Sequence, residues 1–367
     1  MEALLALDKV FERTLAMYQP DVPVPDLTPG THLNEWNWTS GIAHYGLLKT
    51  HHLVFAETQL RYFDFVREWF VKYLDRSEPT ATLNGALLTN VLWQLSQDPK
   101  IPFSNEERQQ YTNYCFERAI FYRDNALRLP SGVFGHSVAG IPESGKQVWA
   151  DNLFMLVLFL AKMSGTLPDL SLNQMEQQVA LHFIHLTDPQ TKLLYHVWQD
   201  DPHGLERDLL ENSGTHFNGA LWGRGAGWAA IALAEMSEIP HYPALPCPYF
   251  TRPFFQSLLN NQRVDGKWNT LLYGVDTYPE TSATACFAAT FFKGYRLGWL
   301  EEDYYKAAKL AINALLDYLI LEDGTVQGVS GSTPVFPTRE DYTRVPYMPV
   351  CTWGQGMALL ALGEYLS

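Results

Sequence analysis

Charge is scarce in this sequence of 367 residues: 18% of the side chains are charged while 47% are hydrophobic, and acids exceed bases to leave a net charge of −14. There is no basic run, which argues against nucleic acid and anionic membranes as partners. An anionic ligand would have to be drawn in by local groups rather than by the global field. Cysteine is scarcer still. The four thiols, Cys115, Cys247, Cys286 and Cys351, are scattered with no CxxC pair, so neither a disulfide framework nor a structural zinc is expected. No stretch is long and apolar enough to span a bilayer. The opening segment MEALLALDKVFERTLAMYQP carries acids early and reads as an amphipathic helix, not a signal peptide, so the expected setting is the cytoplasm. Phosphate-binding glycine loops, the nucleophile elbow and HExxH are all missing. Nothing in the sequence marks an oligomeric state.

What is present is aromatic surface and helical pattern. Aromatics make up 14% of the chain, with 11 Trp, 19 Tyr and 20 Phe. Such rings fill cores, and their flat faces also match the apolar face of a pyranose. Two kinds of helix alternate. Amphipathic segments fall near 2–18, 57–74, 106–124, 171–186, 251–261 and 302–320. Segments rich in small residues and apolar nearly all round fall near 38–49, 84–96, 151–164, 224–236, 281–296 and 353–365. A helix apolar on every face must be buried on every face. Six amphipathic helices around six buried ones predict an all-α, closed (α/α)6 barrel, spanning 1–367 as one domain.

The links are asymmetric. Those from a buried helix to the next amphipathic one are mostly short, whereas 125–150, 187–223, 262–280 and 321–352 are long and contain strand-like pieces such as SGVFGH, TKLLYHVW, DGKWNTLLY and DGTVQGVSG. All of these emerge where the inner helices begin, so one face carries the long loops and is expected to hold the site. The positive ends of the inner helices point there too and favour an anion.

Four constellations fall on that face. In VWADNLFM, Asp151 opens the most apolar helix and fits two roles, an N-cap or a general acid whose pKa is raised by burial in an aromatic mouth. In LWGRGAGW, Arg224 lies between Trp222 and Trp228 at a glycine-rich helix start, where a ligand can approach the backbone and a guanidinium can hold a carboxylate. His136 in GVFGH and His196 in LLYHVW share an aromatic, strand-like context and fit a structural or a ligand-binding role equally. In YPETSATA, Glu280, Thr281 and Ser282 precede an inner helix, and Thr281 or Ser282 is expected to cap it. Trp353 opens the last inner helix with Gly354 and Gln355.

Together these blocks resemble the unsaturated rhamnogalacturonyl hydrolases (glycoside hydrolase family 105) and the related unsaturated glucuronyl hydrolases (family 88). VWADNLFM, LLYHVW, LWGRGAGW and ETSATA occur in family order, with EWNWTSGIAHYGLL resembling the first inner helix and WGQGMALLALGEY the last. The resemblance implies an (α/α)6 barrel and hydration of the C4=C5 double bond of a 4,5-unsaturated uronyl oligosaccharide, an anionic substrate, with Asp151 as general acid and base. It implies no metal and no organic cofactor. It gives His136, His196, Arg224, Trp222 and Trp228 places around the substrate, with Thr281, Ser282 and Trp353 at the mouths of later helices. The sequence departs from the family in one place. A second functional Asp usually opens the second inner helix, whereas here EPTATLNGALL offers Thr82 or Asn84 and no Asp lies between Asp75 and Asp98. Two other readings stay open: another carbohydrate enzyme on the same barrel, such as an inverting glucanase or a sugar 2-epimerase-like enzyme using His136 and His196 as a proton-transfer pair, and a sugar-binding homologue that has lost catalysis.

Overall fold

The amphipathic segments fold as helices that each bury one stripe. The computed structural model describes residues 1–74, 82–137, 146–200, 214–274 and 276–367. Parts of three of the long loops, 138–145, 201–213 and residue 275, lie outside the described residues. In chain order the helices are α1 (Glu2–Leu15), α2 (Trp38–Thr50), α3 (Ala56–Tyr73), α4 (Ala86–Gln97), α5 (Asn105–Asn125), α6 (Leu158–Met163), α7 (Leu172–Leu186), α8 (Gly223–Met236), α9 (Pro248–Asn260), α10 (Thr281–Arg296), α11 (Glu302–Ala314), α12 (Arg339–Tyr342) and α13 (Thr352–Leu366). In α3 the buried side chains are Thr58, Tyr62, Phe65, Val66, Trp69, Phe70 and Tyr73, a spacing of three and four that makes one face. In α8 every residue from Gly223 to Met236 is buried.

The fully buried helices touch in a cycle, α2 to α4 to α6 to α8 to α10 to α13 and back to α2. The amphipathic ones lie outside them, and the molecule is an (α/α)6 barrel. The seam where the ring closes is the tightest. A Cβ on Gly46 of α2 would stand 2.5 Å from the Gly356 carbonyl oxygen, and one on Gly356 of α13 would stand 2.3 Å from that of Ile42. The backbones therefore meet with no side chain between them.

Several predicted bounds differ: the first helix ends at Leu15, and the one expected over 302–320 turns π-helical at Leu315–Leu319. The helix expected over 151–164 has a π-helical turn at Leu153–Val157 before α6 begins. A segment buried on all sides has no polar stripe, so its sequence carries no period from which an extra residue in a turn can be read. The helix expected from 251 begins at Pro248, because proline is favourable at the first helical position, where its missing N–H costs nothing.

The inner helices all begin at one face, and the long loops collect over it. One loop sheet joins β1 (Gln147–Trp149), β2 (Val197–Asp200) and β3 (Gly214–Thr215), antiparallel, with Trp149 opposite Val197. A second pairs β4 (Val329–Ser330) with β5 (Tyr347–Met348). The loops leaving α5, α9 and α11 repeat one tight turn, with the backbone bonds Leu129 to Val133, Arg263 to Lys267 and Leu321 to Thr325, and the loop leaving α7 makes a turn one residue longer, Asp188 to Leu193. At the opposite face a buried charge cluster crosses the barrel. Glu235 of α8 bonds Lys293 of α10 and Tyr45 of α2, with Lys49 of α2 at 2.8 Å and Lys162 of α6 at 3.6 Å. Lys293 also reaches Glu364 of α13 at 3.0 Å. Among the described residues, no helix is long and apolar enough to cross a membrane.

Candidate active site

Four inner helices deliver side chains to one cavity on the loop face, of about 200 Å³. Trp38 comes from the start of α2, Asn84 from the turn before α4, Asp151 and Met155 from the turn before α6, and Arg224 and Trp228 from α8. His136, Trp149, Trp222, Ser332, Thr333 and Pro334 complete the wall. These helix starts are sparsely capped. Asn37 and Glu280 cap α2 and α10, while α4, α8 and α13 have no side-chain cap. The positive ends of those inner helices are thus not neutralised by a carboxylate.

Asp151 is the acid of this cavity. Its Oδ2 is buried and has no hydrogen-bond partner. Burial pushes the carboxyl up to about 6, against the opposing pull of its own backbone N–H and of the Arg224 charge. The next residue does the structural work: Asn152 donates to the Phe134 carbonyl at 2.9 Å and holds His136 Nδ1 at 2.7 Å.

A continuous arc of packed rings lines one side. His136 lies on Trp149 at 4.3 Å, Trp149 meets His196 at 4.9 Å, and His196 packs on Trp222 at 4.3 Å. The Arg224 guanidinium lies over Trp222 at 4.7 Å and Trp353 at 5.6 Å, and Trp353 packs on Trp38 at 5.4 Å. Burial holds both imidazoles neutral, lowering His136 to about 4 and His196 to about 3.

Arg224 lines the cavity, but its fork is not free. Nη1 donates to the Ser330 carbonyl at 3.0 Å and hydroxyl at 2.7 Å, and Nη2 to the Gly331 carbonyl at 2.7 Å and Thr333 Oγ1 at 2.9 Å. Only Nε is buried without a partner. The arginine thereby fixes the strand and loop that bring Ser332, Thr333 and Pro334 to the wall. Glu280 supports it from behind at 3.4 Å and accepts the backbone N–H of Ser330 at 2.9 Å.

Of the residues singled out in the sequence, Asp151, His136, Trp222, Arg224 and Trp228 meet at the cavity. His196 and Trp353 stand one layer behind, within the aromatic arc. Thr281 and Ser282 are outside the wall: the Thr281 backbone binds Gly328, and the Ser282 hydroxyl donates to the Glu280 carboxylate at 2.8 Å. Neither caps α10. Glu280 does, accepting from the Ala283 N–H at 2.7 Å, because its longer side chain reaches back over the first turn. Trp38, Trp149 and the 332–334 loop were not singled out. Trp38 opens an inner helix just as Trp353 does, which is a usable signal, whereas the loop carries none. Among the described residues no group of three or more His, Cys, Asp or Glu side chains is placed to hold a metal ion.

Comparison with known proteins agrees with this fold. The model of Glycosyl Hydrolase Family 88 matches residues 8–367. The chain is 29% identical over 339 residues to the unsaturated rhamnogalacturonyl hydrolase YesR of Bacillus subtilis, an alignment that covers 90% of each. A possible member of the GH105 family from Salmonella enterica superposes with a TM-score of 0.81 at 24% identity, over 98% of this chain and 92% of that one. The unsaturated glucuronyl hydrolase of Bacillus sp. GL1, responsible for the degradation of glycosaminoglycan, gives 0.69 at 18% identity, over 98% and 94%.

Proposed function

The chain belongs to Glycosyl Hydrolase Family 88, and from that premise we propose that it hydrolyses the 4,5-unsaturated uronyl end of an anionic oligosaccharide, of the unsaturated galacturonyl–rhamnose type. One observation carries the reading: a buried carboxyl, Asp151, with an unpartnered oxygen and a pKa raised to about 6, faces a tryptophan-walled cavity. At about 200 Å³ the cavity is below the roughly 300–1,000 Å³ of drug-sized pockets and suits one sugar ring.

In this reaction the protonated Asp151 gives its proton to C4 of the vinyl ether. Positive charge develops at C5 and is shared with the ring oxygen. Water adds at C5 and loses a proton to the same carboxylate, which restores the acid. The hemiketal then opens and releases the remaining sugar as an alcohol. A single carboxyl thus serves both proton transfers, unlike the two-carboxylate scheme of ordinary glycosidases. Arg224 holds the 330–334 wall and supplies positive charge behind it. The two neutral, hydrogen-bonded histidines fit walls of the pocket better than the proton-transfer pair of an epimerase. The proposal takes residues 1–367 as one catalytic domain, as the unbroken helix ring supports. It also takes the enzyme as cytoplasmic and independent of nucleic acid. Four free thiols and a net charge of −14 support those readings.

The test is loss of the ultraviolet absorbance of the conjugated double bond with two disaccharides, unsaturated galacturonate on rhamnose and unsaturated glucuronate on an amino sugar. Turnover of the first, falling as pH rises through about 6 and reduced at least about 1,000-fold by Asp151→Asn, is expected. Turnover of the second substrate alone would overturn the galacturonyl assignment. No turnover of either by the folded protein would favour a homologue that binds sugar without catalysis, in line with Asn84 standing where an acid was expected.

A further inference from the structure

A second cavity, of about 670 Å³, opens on the same face as the one that holds Asp151. It lies between the link from α1 to α2 and the end of α3, with Asp21, Val24, Glu35, Trp36, Lys72 and Tyr73 in its wall. A single stretch of three residues separates the two cavities: Trp36 and Asn37 line the second, and Trp38 lines the first. That partition is held on both sides. Asn37 accepts the Trp38 N–H at 2.7 Å, and Trp36 Nε1 donates to the Gly85 carbonyl at 3.2 Å, beside the Asn84 that lines the Asp151 cavity. Trp36 also packs on Trp69, Phe70 and Tyr114. The first cavity suits one sugar ring, so the remaining sugars of an oligosaccharide lie outside it. The second cavity is next to it and of a size that takes small ligands.

The charged groups of the second cavity are not spent on one another. Lys72 donates to the Pro20 carbonyl at 2.9 Å and makes no ion pair among the described residues, which leaves two of its three N–H groups for a ligand. Asp21 makes no ion pair among them either. Glu35 meets only His32, at 4.0 Å, an imidazole whose pKa burial lowers. Carboxylates accept from sugar hydroxyls and an ammonium donates to them, and bonds to a charged group are the stronger kind. A further uronate fits poorly, because two negative groups face it for one positive. We propose that this second cavity binds neutral sugars of the leaving chain, so that the protein prefers substrates with neutral units beyond the first sugar pair. The leaving chain as occupant rests on the hydrolase reading above; the affinity of the cavity for neutral sugar does not.

Chain length is the test. Three substrates are compared: the unsaturated galacturonate–rhamnose disaccharide, a tetrasaccharide whose three sugars after the unsaturated one are neutral, and a tetrasaccharide of alternating uronates. The neutral tetrasaccharide is expected to exceed the disaccharide roughly tenfold in kcat/KM, mainly through KM, the scale of one hydrogen bond to a charged group, and the alternating chain to gain less. Lys72→Met and Glu35→Gln, which spare the packed Trp36, should each remove most of that gain and leave the disaccharide unchanged. Equal kcat/KM for the disaccharide and the neutral tetrasaccharide overturns the proposal, and so does a gain that survives both substitutions. Equal losses on both substrates overturn it too, since the cavity would then only support its neighbour, and a larger gain for the alternating chain overturns the neutral assignment. If no unsaturated sugar is turned over, calorimetric binding of the same substrates decides. A neutral tetrasaccharide held more tightly than the disaccharide, and weakened by both substitutions, supports the second cavity and overturns the hydrolase reading alone; no difference overturns both.

Discussion

Asp151 holds its charge at a cost. Its folded pKa, about 6, lies above the unfolded value near 3.9, so the folded state binds the extra proton between those values. Stability from this group is full below about pH 4 and is lost as pH rises through about 6. Asp151→Asn removes the ionisation and should therefore stabilise the protein at pH 7 to 8 by about 1–2 kcal/mol, with the gain vanishing near pH 4. Chemical denaturation at both pH values checks the sign. Equal or lower stability of the variant at pH 8 would mean that the carboxylate is not desolvated. The sequence reached this residue because a motif singled it out, but it left an N-cap and a general acid side by side. What separates them is the absence of a partner on Oδ2, which depends on residues far away in the chain. Arg224 teaches the converse. Its flanking tryptophans and glycines were legible, while the Ser330, Gly331 and Thr333 groups that occupy its fork lie more than a hundred residues away and carry no local mark.

At the scale of elements, the three repeated turns after α5, α9 and α11 can be set beside the longer turn after α7. Each needs one residue in the left-handed region: Gly132 at φ 86°, Lys192 at 63°, Gly266 at 80° and Gly324 at 82°. Three are glycine and one is lysine, whose Cβ is strained there. Lys192→Gly is expected to stabilise by roughly 0.5 kcal/mol, relief of strain outweighing the added freedom of the unfolded chain. Gly324→Ala should instead cost at least about 2 kcal/mol, because its Cβ would stand 2.1 Å from the Lys9 carbonyl oxygen of α1 in addition to the backbone strain. Thermal melts of the two variants should move in opposite directions, and a lower midpoint for Lys192→Gly would show that Lys192 is not strained. The alternation of helix kinds was legible at this scale because burial on one face or on all faces writes itself into composition. The turns were legible in part, as the SGVF, TKLL, DGKW and DGTV pieces, while the backbone bonds that close them were not.

At the scale of the molecule, the ring is fastened at the face away from the cavity by the charge cluster around Glu235. Burial pushes its carboxyl up, but Lys293, Lys49 and Lys162 outweigh that and hold it well below the usual carboxylate range. Its contribution is present above the ordinary carboxylate value and is lost as pH falls through the depressed one. Removing it leaves Lys162 with no acid partner and Lys293 with only Glu238 and Glu364 to balance its buried charge. Glu235→Ala should destabilise by about 3–5 kcal/mol, and a denaturation midpoint close to wild type would show that the cluster is not structural. No sequence motif announces the cluster, because its members come one or two at a time from five different helices.

Ring closure has a topological consequence. α1 runs antiparallel to α13, since Gln355 at the start of α13 bonds Val10 and Thr14 near the end of α1. The first residue of α1 and the last of α13 therefore lie together on the face that holds the charge cluster. The gap between them is equivalent to the short inner-to-outer links at 51–55 and 297–301. Architecturally the barrel is a cycle of six helix pairs whose one open joint lies on the side opposite the cavity.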